Sequence, residues 1–320
     1  MTKDSLSESI SIIVPAMDEE ASLPELVSRV KASCLQAELN LVEIILIDDG
    51  SRDRTWQVME ELSHSHQDVK AIKLRRNFGK ATALDKGIHS ATGDILITMD
   101  ADLQDDPKEI PRFVERITAG DDMVSGWKQI RNDPLEKTLP SKLFNKTTAV
   151  ITGVDLHDFN CGFKAYRKEI FDSIHLYGEL HRYVPVLANS LGFQIGELAV
   201  EHHPRKHGTS KYGIGRYLKG FLDLLTVLTI TRFARRPGHL FGGAGAVVLI
   251  FGGLILMYLT GLKLFLGEDI GDRPLLMLGV LTVIVGFQFL LFGMLAELIN
   301  SHQNERRQPS VVARKLGFGD

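Results

Sequence analysis

At 320 residues with a net charge of −3, the chain has length for one large domain plus an appendage. The near-neutral balance leaves no overall nucleic-acid footprint, so any basic patch is local. Two cysteines, Cys34 and Cys161, give neither a disulfide framework nor a metal-ligand spacing, and a reducing compartment fits them.

The first nine residues are polar and lack the apolar core of a secretory signal, so the domain that follows is expected on the cytosolic side. Residues 9–15 read as a strand ended by Pro15 and followed by Asp18, Glu19 and Glu20. Leu23, Leu26, Val27 and Val30 then recur at helical spacing. A second strand over 43–47 runs into Asp48-Asp49-Gly50-Ser51. A helix over 55–63, a strand over 69–74, an Asn77-Phe78-Gly79-Lys80 turn and a helix over 81–91 follow. This alternation predicts an α/β domain with a parallel sheet and helices on both faces.

The apolar run 94–99 reads as a further buried strand, ending in Asp100-Ala101-Asp102. Carboxylates at the carboxyl end of such a strand lie where open α/β sheets bind ligands. Two like charges so close repel unless a cation or hydrogen-bond donors neutralise them. Hard oxygen ligands suit Mg²⁺ or Mn²⁺ shared with substrate phosphates, which points to a nucleotide diphosphate held through a metal ion. Neither GxGxxG after a strand nor GxxxxGK[ST] occurs, so the two common phosphate-binding fingerprints are absent.

Further on, His202 to Tyr212 is a dense run of hydrogen-bond donors. A solvated face is the ordinary explanation, but its place beside a membrane-proximal segment favours contact with anionic lipid or phosphate. Residues 217–236 mix Leu218, Phe221, Leu222, Leu225 and Leu228 with Lys219, Asp223 and Arg232. They read as an interfacial amphipathic helix or as a helix packed on the preceding domain. No charged residue occurs over 240–262 or 275–296, and a bilayer core needs about 20 apolar residues. Two transmembrane helices are therefore expected, with Gly242, Gly243, Gly245, Gly252 and Gly253 suited to close helix packing and to a homo-oligomer through the spans. Arg232, Arg235 and Arg236 precede the spans, Arg306, Arg307, Arg314 and Lys315 follow them, and the loop carries Glu268, Asp269 and Asp272 against Lys263 and Arg273. The positive-inside bias puts both ends in the cytosol and the loop outside. The expected plan is a cytosolic domain over 1–215, a juxtamembrane helix over 216–238, two spans over 239–298 and a cytosolic tail over 299–320, multi-pass in the cytoplasmic membrane.

Six motifs, IIVPAMDEE, LIDDGSRDRT, RRNFGKATAL, MDADLQDDP, DFNCGFKAYR and RKHGTSKYG, occur in that order between about Ser9 and Gly215. Together they resemble the inverting family-two glycosyltransferases with a GT-A, Rossmann-like fold. Within them they are most similar to the dolichyl-phosphate mannose synthase group and its bacterial polyprenyl-phosphate relatives. The resemblance implies transfer of a sugar from a nucleotide diphosphate sugar to a membrane polyprenyl phosphate, with inversion and with Mg²⁺ or Mn²⁺. It implies that Pro15, Asp18 and Glu19 line the base and ribose pocket and that Asp48 or Asp49 reads the base. Asn77, Lys80, Ala101 and Lys128 would line the donor cleft, and Asp100 and Asp102 would hold the metal with help from Gln104. Gln104 also reads as a solvent-facing residue, and Asp49 as part of an Asp-Gly-Ser turn. Lys164, Arg205, Ser210 and Lys211 would bind phosphate, with Arg205 and Lys211 joining Asp100 and Asp102 in catalysis.

Lys128 and Lys164 stand where relatives often carry arginine, which keeps the charge but loses the bidentate fork. An acceptor phosphate monoester, with a second pKa near 6, is largely ionised at neutral pH and needs no strong general base. A transferase acting on a lipid hydroxyl and an inactive nucleotide-sugar-binding membrane adaptor remain as alternatives. A processive polysaccharide synthase would carry QxxRW, and neither Trp56 nor Trp127 lies in that context.

Overall fold

The computed structural model describes residues 8–129, 145, 148–149, 152–178, 180–203 and 237–304. They fall into two units, one within 1–227 and one within 228–308. The first is built on a seven-stranded sheet of order β3-β2-β1-β4-β6-β5-β7. Its strands are β1 Ile10–Ala16, β2 Leu41–Asp48, β3 Val69–Lys73, β4 Ile95–Thr98, β5 Met123–Lys128, β6 Lys164–Arg167 and β7 Ile195–Val200.

The central strands β1 and β4 are buried on both faces, which is why they read as unbroken apolar runs instead of alternating patterns. Among the described residues the sheet is accompanied by α1 Leu23–Gln36, α2 Thr55–Ser65, α3 Lys80–Ser90, α4 Ile110–Thr118 and α5 Val184–Leu191. In α1 a proline in the first turn starts the helix, and Leu23, Leu26, Val27, Val30 and Cys34 form its buried stripe. Helix α4 repeats the design with Ile110, Phe113, Val114 and Ile117. These stripes join Ile12, Val14, Ile44, Leu46 and Ile97 in one core.

The sheet is mixed, where the sequence alternation predicts a parallel one. Strand β6 runs antiparallel to both β4 and β5, with Lys164 opposite Thr98 and Arg167 opposite Ile95. Its first residue therefore lies beside the last residue of β4. Strand β1 sits between β2 and β4, parallel to both. The chain passes from β1 to β2 on one side and reaches β4 on the other, which makes the carboxyl edge between them a topological switch point.

The second unit comprises α6 Pro237–Leu266 and α7 Pro274–Asn304. Each contains a 26-residue stretch, Phe241–Leu266 and Pro274–Ile299, long and apolar enough to cross a membrane by length and composition. The helices approach closely along a seam of glycines. A Cβ on Gly245 would stand 2.8 Å from the Gly286 carbonyl oxygen, and one on Gly252 2.9 Å from the Val283 amide nitrogen. Gly279, Gly286 and Gly293 recur every seventh residue of α7 and all face α6. Glu297 accepts a 3.0 Å hydrogen bond from the Gly238 N–H, satisfying one free donor at the start of α6. Residues 216–236 of the expected juxtamembrane helix and most of the expected tail lie outside the described residues, and Pro237 and Gly238 belong to α6.

Candidate active site

A cleft of about 420 Å³ opens at the carboxyl edge of β1, β2 and β4. Pro15, Ala16, Met17 and Glu19 line it from the end of β1, and Asp49 from the end of β2. Asn77, Gly79 and Lys80 line it from the start of α3, Asp100, Ala101 and Asp102 from the end of β4, and His181 and Arg182 from a short turn at Leu180–Arg182.

The wall at β1 and β2 is held by side chain-to-backbone hydrogen bonds. Asp18, in the left-handed region at φ 56°, receives the Arg52 N–H at 2.8 Å and donates its own N–H to Ser51 Oγ at 2.9 Å. The Glu19 N–H donates to Thr55 Oγ1 at 2.8 Å. Asp18 thus clips two loops together and is not among the cleft-lining residues. The paired carboxylates after β2 divide by position. Asp48 is buried and accepts the Ser51 N–H at 2.8 Å, whereas Asp49 lines the cleft and accepts the N–H groups of Phe78 and Gly79 at 2.8 and 3.0 Å. Burial raises the Asp49 pKa against those two donors, and the neighbouring Asp48 charge adds to the rise. Gly50, at φ +77°, lets the Asn77 backbone approach, since a Cβ there would stand 2.4 Å from its nitrogen. Asn77 Nδ2 lies 2.7 Å from Met17 Sδ, across the cleft mouth.

The floor is the turn after β4. Asp100 forms an ion pair with Lys80, and Asp102 is largely buried and accepts the Gln104 N–H at 3.2 Å. Leu103 takes φ 61° with its side chain buried, a conformation that costs a branched residue on the order of 1–3 kcal/mol. A strained turn thus presents both carboxylates to the cleft. From the antiparallel neighbour, Gly162 comes so close that a Cβ would lie 2.8 Å from both Asp100 carboxylate oxygens. The Gly162 carbonyl accepts from Thr98 Oγ1 at 2.9 Å, fixing that approach.

The remaining sequence candidates lie off the cleft surface. Gln104 turns toward the segment after β7, its Nε2 3.4 Å from His202 Nε2 and from the His203 carbonyl oxygen. Lys128 lies 2.8 Å from Asp105, whose side chain is fully buried. Burial opposes both charges, but Lys128 holds the Asp105 carboxyl below the usual carboxylate range and Asp105 raises the Lys128 pKa in return. Lys164 is only 3% exposed and donates to the Phe159 carbonyl at 3.1 Å. Burial pushes its pKa down to about 8, with the Asp158 and Asp100 charges opposing and the Lys80 charge assisting. Arg205, Ser210 and Lys211 lie outside the described residues. Sequence reasoning misses Ala16, Met17 and Gly79, neighbours of named candidates, and His181 and Arg182, whose only signal is a histidine and an arginine just ahead of an apolar helix.

Asp100 and Asp102 fit a divalent cation of the Mg²⁺ or Mn²⁺ type. Both offer hard oxygens to one cleft, and Asp100 draws a lysine ammonium in the protein alone. Phosphate oxygens and water would complete such a coordination shell. Among the described residues, two other acid and histidine groups have ligand atoms within 4.8 Å of one another, Asp85-His89-His175 and Asp106-Glu201-His203, and none of these residues lines the cleft.

A carboxylate pair at the switch point of a mixed α/β sheet, facing an open cleft, marks a ligand-binding site. Residues 11–174 match the model of glycosyl transferase family 2, and the chain belongs to that family. It is 39% identical over 313 residues to a dodecaprenyl-phosphate galacturonate synthase of Rhizobium johnstonii, covering 96% of this chain and 92% of the relative. It is 38% identical over 292 residues to an undecaprenyl-phosphate 4-deoxy-4-formamido-L-arabinose transferase of Aeromonas hydrophila, covering 91% and 88%. Among solved structures, glucosyl-3-phosphoglycerate synthase from Mycobacterium tuberculosis, in complex with Mn²⁺ and UDP-glucose, superposes with a TM-score of 0.53. At 17% identity, over 70% of this chain and 79% of that one, the likeness establishes a shared GT-A fold.

Proposed function

We propose that the chain transfers a glycosyl group from a nucleotide diphosphate sugar to a membrane polyprenyl phosphate, with inversion at the anomeric carbon. The observation that carries this reading is the placement of Asp100 and Asp102 on the floor of a cleft whose wall is built by Pro15, Glu19 and Asp49. The two relatives named for polyprenyl-phosphate sugar transfer, matched over most of this chain, support the acceptor class.

The nucleoside is held against the Pro15, Glu19 and Asp49 wall, which leaves the diphosphate beside Asp100 and Asp102. Asp100 and Asp102 would hold a divalent cation, which would neutralise the charge that develops on the leaving diphosphate. Lys80 exchanges its contact with Asp100 for a phosphate oxygen. Arg205, Ser210 and Lys211 bind donor and acceptor phosphates. The acceptor phosphate oxygen attacks the anomeric carbon from the face opposite the leaving group. As that C–O bond forms, the bond to the diphosphate breaks and its electron pair leaves with the nucleoside diphosphate. The attacking oxygen is already ionised at neutral pH, so positioning and charge stabilisation do the catalytic work.

In the same reading α6 and α7 span the membrane as a hairpin with both ends cytosolic, and the acceptor presents its head group from the bilayer. Acceptor choice tests the proposal. Membranes containing the protein should pass label from a nucleotide sugar to undecaprenyl phosphate and leave undecaprenol and diacylglycerol unlabelled. Labelling of the hydroxyl lipids instead would replace the phosphate acceptor.

A further inference from the structure

Away from the cleft surface, α3 and the segment after β6 bring together Asp85, His89 and His175. Asp85 and His89 lie four residues apart on α3 and so share a face. His175 comes from the stretch between the turns Lys168–Asp172 and Leu180–Arg182. Its neighbours Ile174 and Leu176 are buried, and His175 between them is exposed. The Leu176 N–H donates to Asp85 Oδ1 at 3.1 Å, which fastens this stretch to α3. The His89 and His175 rings then lie side by side and nearly parallel, their centroids 5.4 Å apart.

The hydrogen bonds around the group leave the atoms that a metal ion needs. His89 Nδ1 stands 2.8 Å from the Asp85 carbonyl oxygen, so that nitrogen donates and Nε2 carries the lone pair. Metal-bound imidazoles are oriented by this kind of second hydrogen bond. Asp85 Oδ1 is engaged by Leu176, which leaves Oδ2. Lys86, 3.5 Å from Oδ2, is an exposed ion-pair partner that contributes little. One ligand atom from each of the three residues lies within 4.8 Å of the other two. A tetrahedral Zn²⁺ site with bonds of about 2.0–2.1 Å needs about 3.3 Å between ligand atoms. The exposed side chains of His89 and His175 reach that spacing by rotation. The group Asp106-Glu201-His203 is committed otherwise, because Asp106 pairs with Arg29 at 3.0 Å and accepts the Lys108 N–H at 3.1 Å. A cation there would have to displace a guanidinium.

We infer that Asp85, His89 and His175 form a second metal site, for an ion of the Zn²⁺ class, separate from the oxygen site at Asp100 and Asp102. Two imidazoles and one carboxylate suit Zn²⁺ and its neighbours, whereas Mg²⁺ keeps to oxygen ligands. Water completes the fourth position. Gly79 and Lys80 at the start of α3 line the cleft, as do His181 and Arg182 shortly after His175. An ion held by Asp85, His89 and His175 therefore fastens two parts of the cleft wall to each other without touching the substrate.

The test uses the full chain without a histidine tag, in bilayers, equilibrated with buffered Zn²⁺ in a large excess of Mg²⁺ that fills the oxygen site. The parent should retain one Zn²⁺ per chain and melt at a higher temperature with Zn²⁺ than without. His89→Gln and His175→Gln should each weaken retention at least about tenfold and remove the melting shift. Both side chains are exposed, so without Zn²⁺ the variants should melt as the parent does. Co²⁺ in place of Zn²⁺ should give the parent, and neither variant, the intense visible absorption of a four-coordinate ion. His203→Gln, in the other group, should change nothing. No Zn²⁺ retained against Mg²⁺, equal retention by the parent and both variants, or loss only with His203→Gln would overturn the site.

Discussion

Gly162→Ala tests how the floor of the cleft is set. The backbone at Gly162 is not in the left-handed region, so alanine is tolerated conformationally and its effect is steric. The new Cβ would stand 2.8 Å from both oxygens of Asp100, where ordinary van der Waals contact begins at 3.4 Å, so the carboxylate must retreat by about 0.6 Å. The glycine cannot retreat instead without losing the Thr98 Oγ1 bond to its carbonyl. Misplacing a reacting constellation by about 1 Å costs about 100-fold, so kcat should fall about 10- to 100-fold. The apparent affinity for Mn²⁺ should weaken in parallel, while thermal stability changes by only about 1 kcal/mol. Initial rates of label transfer, measured across a metal titration beside a melting curve, read all three quantities. A rate within twofold of the parent at unchanged metal dependence would show that Asp100 does not hold the ion.

Replacing Asp102 with alanine should abolish turnover while leaving the melting temperature near that of the parent; near-normal transfer would remove the metal assignment. Lys128→Met leaves the Asp105 carboxylate buried without its cation and should destabilise the domain by about 3–5 kcal/mol. Adding Asp105→Asn should recover most of that loss in the same denaturation assay, since it removes the stranded charge. For Lys164 the expected signature lies in pH. The folded side chain gives up its proton near 8, whereas the unfolded one keeps it to about 10.4. Between those values the unfolded chain binds more protons, so this residue's contribution to stability rises with pH. Cys34 and Cys161, their thiols pushed up by burial to about 12, act in the opposite sense. The readout is therefore the melting difference between the parent and Lys164→Met. It should shift in the parent's favour between pH 7.5 and 9.5, and a constant difference would refute the burial argument.

The parts of the site that the sequence discloses are those governed by local rules. A buried apolar run ending in two carboxylates identifies the floor at Asp100 and Asp102, and long uncharged stretches identify α6 and α7 by length alone. Helix α2 is expected over 55–63 and found at Thr55–Ser65, because its apolar spacing is a local property. The rest depends on partners distant in the chain. Strand β6 is four residues long, and its direction is set by the edge of β4 that it covers. Lys128 and Lys164 are expected to face the donor cleft and a phosphate, because lysines are seldom buried. Lys128 is buried because Asp105, 23 residues earlier, waits for it in the core. Between Asp48 and Asp49, strand parity decides which side chain turns inward, and the sequence leaves the choice open. His181 and Arg182 reach the cleft through the packing of their turn near α3 and α5, which no periodicity announces.

The most direct test of the central claim is the stoichiometry of the products. Purified protein in bilayers, given undecaprenyl phosphate, Mg²⁺ or Mn²⁺ and each member of a nucleotide-sugar panel, should convert one donor. It should form one acid-labile lipid-linked sugar for every nucleoside diphosphate released. Release of pyrophosphate, or measurable donor binding with no transfer from any member of the panel, would contradict the account.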